Sequence, residues 1–210
     1  MAYYIRPMTR DDLADVTEID REAFSTQWPP ADYAYEFKNR MAHYLVACDS
    51  TIEIGPGGNA RKPDNIKFWF KHFFCRRPAS KNDVPPPKHY IVGFAGFWVM
   101  AGEAHITSIA VRAKYRRKGI GELLLIAVID QAISLNSSVV TLEVRASNIN
   151  AQNLYTKYGF NKVGERKKYY LDRGPSGDSR EDAIIMTTPD VDSSAYQEQL
   201  RRLKNNHATK

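Results

Sequence analysis

Arg116-Arg117-Lys118-Gly119-Ile120-Gly121 stands between two apolar runs. Before it, Ile106 to Val111 reads as a strand; after it, Glu122 to Ile133 reads as a helix. A strand, a basic loop with two glycines and a helix together make an anion cradle. The first turn of a helix carries free N–H groups and a partial positive charge, and glycines let a phosphate come close to the backbone. Arg117 and Lys118 add full charges. The expected ligand is a phosphorylated cofactor. The spacing, R-x-x-G-x-G, is neither the dinucleotide pattern G-x-G-x-x-G nor the P-loop, which needs Gly-Lys-Ser/Thr.

The flanks separate a cofactor loop from an ordinary basic turn. Ala104-His105-Ile106-Thr107-Ser108-Ile109-Ala110-Val111 on one side and Glu122-Leu123-Leu124-Leu125 on the other resemble the acyl-CoA motif of the GCN5-related N-acetyltransferases (GNAT). Leu142-Glu143-Val144-Arg145-Ala146-Ser147-Asn148, Leu154-Tyr155, Gly159-Phe160, Tyr169-Tyr170 and Arg180 to Met186 follow in order. They resemble the ribosomal-protein-alanine N-acetyltransferases of that superfamily. The likeness is nearly gap-free from Ala104 to Thr188 and looser from Tyr4 to Ser50. It implies an α/β fold whose mixed, mostly antiparallel central sheet has helices on both faces and splays between its fourth and fifth strands. It also implies acetyl-CoA as cosubstrate, no metal, and a protein N-terminus as acceptor, the N-terminal alanine of a small-subunit ribosomal protein. A GNAT enzyme acting on lysine, a polyamine or a small molecule is the alternative, as is a non-catalytic acyl-CoA-binding module.

Glu143 is the odd residue in an apolar strand. A half-buried carboxylate there either pairs with a cation, Arg145 or Arg166, or is kept for proton work. The resemblance makes Glu143 the general base that deprotonates the incoming amine and Tyr155 the acid that protonates the leaving thiolate. Asn148 matches a position that hydrogen-bonds the cofactor. Ile109, Ala110 and Val111 match the strand whose backbone meets the pantetheine arm, with the Val111 N–H near the oxyanion. Arg116, Arg117, Lys118, Gly119, Ile120, Gly121 and Glu122 match the pyrophosphate cradle. Arg112 and Lys114 are near enough in sequence to help with the remaining phosphate. On the acceptor side, Phe24, Trp28, Tyr33 and Arg145 are candidates; core packing is the competing role for the three aromatics.

The chain of 210 residues suffices for one domain with a sizeable core, and 43% hydrophobic with 26% charged residues is ordinary for a globular protein. The longest apolar run, Ile91 to Ala101, is too short to span a bilayer. The start lacks a signal-peptide layout, and Cys48 and Cys75 make no metal spacing or disulfide framework, so a cytoplasmic location is expected. Of the net charge of +6, most sits between Thr51 and His89, where eight Lys/Arg face three Asp/Glu. The core is therefore nearly neutral, and no direct nucleic-acid contact is expected of it.

Residues 1–189 are expected to form the acetyltransferase domain and 190–210 a C-terminal extension. The segment 51–89 reads as a basic, aromatic insertion, and its role is open. Ile66, Trp69, Phe70, Phe73 and Phe74 recur at helical spacing, so the insertion either covers the domain or rests on a ribosome, membrane or partner. A monomer is expected. Helices are expected near Thr9–Phe24, Ala31–Arg40, Gly119–Leu135, Asn150–Tyr158 and Ala195–Asn205. Strands are expected near Tyr3–Met8, His43–Cys48, Ile91–Ala101, Ala104–Val111, Val139–Val144, Lys162–Tyr170 and Ala183–Thr188.

Overall fold

A computed structural model describes residues 2–24, 31–54, 60–61, 88–174 and 177–208. Trp28 and the expected aromatic helix at 66–74 lie outside these residues. The principal strands are β1 (Tyr3–Pro7), β2 (Ala42–Ile54), β3 (Lys88–Met100), β4 (Glu103–Val111), β5 (Val139–Arg145), β6 (Asn161–Gly174) and β7 (Gly177–Thr187). They form one sheet in the order β1-β2-β3-β4-β5-β7-β6, and a two-residue strand, Ala60–Arg61, pairs with the end of β2. Every neighbouring pair is antiparallel except β4 and β5, which run parallel. The helices are α1 (Leu13–Ala23), α2 (Tyr33–Glu36), α3 (Ile120–Ser134), α4 (Ile149–Lys157) and α5 (Ser194–Ala208).

Period-two alternation along the central strands divides the core in two. Leu45, Ala47, Val92 and Ala95 join α3 and residues of the α4 and α5 segments on one face; Val46, Cys48, Ile91 and Phe94 join α1 and Tyr33 on the other. α3 is the best-buried helix: Leu124, Leu125, Val128, Ile129 and Ala132 are all inaccessible. Its start is set by Gly119, whose φ of +80° is a left-handed conformation that glycine adopts without steric cost. Before α1, Asp12 takes hydrogen bonds from the Thr9 N–H and hydroxyl and from both terminal nitrogens of Arg6.

Four elements differ markedly in length from the sequence reading. β2 runs on to Ile54 instead of stopping at Cys48, crossing irregular pairing between Asp49 and Glu53, so its polar tail was hidden by the loss of alternation. The expected helix Ala31 to Arg40 is a single turn, because Asn39 turns its side-chain oxygen onto the Met41 N–H and the chain bends into β2. The hairpin of β6 and β7 extends well beyond the expected pair. The C-terminal segment packs on the domain: Val191, Tyr196 and Leu200 join the same core as α3.

Candidate active site

β4 and β5 pair only from Glu103–Val139 to Ile106–Leu142. Past that point they separate, so the sheet splits between its fourth and fifth principal strands. The split lies beside a β-bulge: Gly96 faces Ser108 and Phe97 faces Ile106, leaving Thr107 as the extra residue on β4. A groove of about 930 Å³ occupies the opening. Thr107, Ser108 and Ile109 line one wall and Glu143, Val144 and Arg145 the other, with Asn148 and Tyr155 also in the lining. Phe24, Trp98 and Tyr169 complete the lining.

Glu143 follows the last residue of β5 that pairs with β4 and is 8% exposed through its side chain. Its Oε2 is 2.9 Å from His105 Nε2, and its Oε1 is 3.1 Å from Arg166 Nη2. Its backbone oxygen accepts a hydrogen bond from the Tyr170 hydroxyl at 3.0 Å. Of the two expected cationic partners, Arg166 is the one that reaches it. Arg145 instead pairs with Glu181 at 3.1 Å and lies 4.5 Å above the Tyr170 ring. A carboxylate and an imidazole thus meet at the point where the strands part, and the Tyr170 phenol fixes the main chain beneath the carboxylate.

Tyr155, on α4, packs its ring against Phe160. Burial pushes its phenol up to about 12, so it remains protonated at neutral pH. Asn148 caps α4, its side-chain oxygen accepting from the Ala151 N–H at 3.2 Å, while also lining the groove. Glu181 accepts a bond from the Ser147 N–H and ties the end of β5 to the hairpin.

The cradle residues fit a diphosphate. Arg117 and Gly119 both adopt left-handed φ, +64° and +80°, which turns the loop before α3. A Cβ added at Gly121 would meet only Val111 Cγ2, at 3.9 Å, leaving the first turn open to a ligand. Arg116 donates to the Val111 carbonyl, Lys118 lies over the Tyr115 ring at 4.8 Å, and Arg117 reaches Asn150 at 3.4 Å. Ile120 of the same motif is a core residue. Glu122 is turned towards Lys157 and the Tyr158 hydroxyl. Among the described residues no group of three or more His, Cys, Asp or Glu could hold a metal.

Two sequence-based expectations are displaced. Arg112 is not free for a phosphate: it is 7% exposed, donates to the Ile91 carbonyl and to Glu18, and stacks on Tyr90. Tyr33 is 4% exposed and donates to Asp20 at 2.6 Å with its ring against Phe94, so it serves the core. His105 was missed. The signal lay in strand parity: Ala104 and Ile106 point into the core, so His105 faces the other way, and the parallel register brings it near Glu143.

The acetyltransferase (GNAT) family model matches residues 13–160. A Bacillus subtilis (strain 168) protein provisionally named [ribosomal protein bS18]-alanine N-acetyltransferase is 30% identical over 183 residues, covering 87% of this chain and 92% of that one. The Escherichia coli (strain K12) [ribosomal protein bS18]-alanine N-acetyltransferase is 42% identical over 99 residues, covering 47% of this chain and 64% of the relative. The crystal structure of the E. coli ribosomal-protein-S18-alanine N-acetyltransferase superposes with a TM-score of 0.62 at 26% identity, covering 90% of this chain and 94% of that one. The split sheet, the glycine-bearing cradle and these matches agree: the chain belongs to the GNAT acetyltransferase family and is an acetyl-CoA-dependent N-acetyltransferase.

Proposed function

We propose that this chain acetylates the α-amine of a protein N-terminus, the N-terminal alanine of a small-subunit ribosomal protein, in the cytoplasm. The relatives' names supply the acceptor. The observation that carries the chemistry is Glu143, nearly buried between His105 and Arg166 where β4 and β5 part.

Bound acetyl-CoA supplies an activated thioester carbonyl. The residues of this chain do the rest. The loop at Arg117–Gly119 and the first turn of α3 hold the diphosphate through backbone N–H groups. The unpaired side of Thr107–Val111 offers main-chain hydrogen bonds to the pantetheine arm. Phe24, Trp98 and Tyr169 flank the acceptor's path, and Glu143 takes the proton from its ammonium, directly or through water. The free amine then attacks the thioester carbonyl; the carbon–sulfur bond breaks as the amide forms, and the nitrogen gives up its second proton, which replaces the one Tyr155 donates. Tyr155 supplies the proton for the departing sulfur.

The test is a pair of peptides. One has a free N-terminal alanine and the sequence of the ribosomal protein; the other is N-blocked and carries a lysine. Acetyl transfer to the first alone is the expected result. Transfer only to the blocked peptide defeats the α-amine assignment.

A further inference from the structure

α5 lies beyond residue 160, where the family match ends, so that match assigns it no role. The helix runs back towards the cofactor cradle. At its first turn Tyr196 lies on Gly159, where a Cβ would meet the ring at 3.0 Å, and its hydroxyl donates to the Tyr158 carbonyl. Leu200 is buried below, and Lys204 pairs with Asp130 of α3. At its last turn His207 lies on Gly119, where a Cβ would meet the imidazole Cε1 at 3.1 Å. Two glycines with left-handed φ thus each receive a ring from α5.

His207 Nδ1 is also 3.5 Å from Glu122 Oε2, a contact without a hydrogen bond that leaves the buried Nδ1 facing the carboxylate. Glu122 already accepts from Lys157 and from the Tyr158 hydroxyl of the α4 segment. One carboxylate in the first turn of α3 therefore ties together α3, α4 and α5. That carboxylate has an alternative. Acids in a first turn seek the same free N–H groups that a diphosphate needs, and they repel the diphosphate by charge.

We propose that α5 is part of the cosubstrate site, with His207 as a positioning residue that holds Glu122 away from the cradle and fixes the Gly119 turn. The proposal rests on the acetyl-CoA reading of this site. It adds a helix at the far end of the chain to the machinery that presents the diphosphate. His207 acts on the ligand through Glu122 and Gly119.

The test is calorimetric titration with CoA itself, alongside thermal melting and steady-state kinetics. His207→Ala weakens CoA binding about three- to tenfold, the size of one lost polar contact at a helix N-terminus. The KM for acetyl-CoA rises by the same factor, while kcat and the acceptor KM stay put. His207→Asn, which keeps a polar nitrogen close to the position of Nδ1, binds CoA within about twofold of the unaltered chain. Tyr196→Phe removes the anchor at the other end; it lowers the melting temperature and leaves CoA affinity unchanged. Equal CoA affinity in His207→Ala and the unaltered chain overturns the proposal. So does a loss in Tyr196→Phe that matches the His207→Ala loss, because general loosening then accounts for both. An unaltered chain that binds no CoA refutes the acetyl-CoA reading itself, and the proposal falls with it.

Discussion

At the scale of single residues, the distinctive feature is a base candidate that already has partners. His105 and Arg166 occupy one oxygen each of Glu143, so an amine must approach through a site organised for charge. Glu143→Gln keeps the shape and removes the proton acceptor. Steady-state kinetics are expected to show kcat falling about 10²- to 10⁴-fold, with CoA affinity unchanged by calorimetry. Tyr155 gives a pH prediction. Its phenol is raised, so its acid form persists below a value of about 12 and is lost only as pH rises through it. The kcat profile of the unaltered enzyme should therefore have no alkaline limb from this residue below about pH 11, and Tyr155→Phe should lower kcat across the whole range. The sequence made Glu143 visible because a carboxylate interrupts an apolar strand. His105 was invisible because its partner is a strand away, and only the parallel register joins them. Arg112 misled because a basic residue beside a phosphate loop looks available until Glu18 and Tyr90 are seen to hold it.

At the scale of elements, α3 and α4 were readable to within a residue at each end, α3 from its long apolar run and α4 from the glycine that follows it. Strand lengths were not. The tail of β2 carries Asp49, Ser50 and Thr51, whose polarity suits a loop, yet cross-strand pairing with β3 keeps it extended. The likeness to the family predicted the split between the fourth and fifth strands; the Thr107 bulge beside it leaves no pattern in apolar spacing. Two substitutions test these elements. Gly121→Trp places an indole in the open first turn of α3 and should abolish CoA binding, with the fold intact by circular dichroism. Gly93 lies under the same strand: a Cβ there would meet the Ala110 carbonyl at 2.7 Å. Gly93→Ala is expected to lower stability by about 1–3 kcal/mol in urea denaturation, since neither strand can yield.

At the scale of the whole molecule, the N-terminal corner couples stability to pH. Burial alone would raise Asp12, but Arg6 and Thr9 outweigh it and the carboxyl is lowered. A lowered carboxyl adds stability that is complete above its unfolded value and is lost as pH falls through the folded one. Asp12→Asn should therefore cost about 1–3 kcal/mol at neutral pH and flatten the acid side of the stability profile, read by denaturation between pH 5 and pH 2. The parting of β4 from β5 has its own consequence at this scale. From Thr107 onward, β4 carries a row of main-chain donors and acceptors with no strand on that side among the described residues, an interior counterpart of the exposed margins through which sheet proteins stick to one another. Acetyl-CoA would cover that row, so the protein stored without its cosubstrate should self-associate more readily than the same protein stored with it, a difference that light scattering would register.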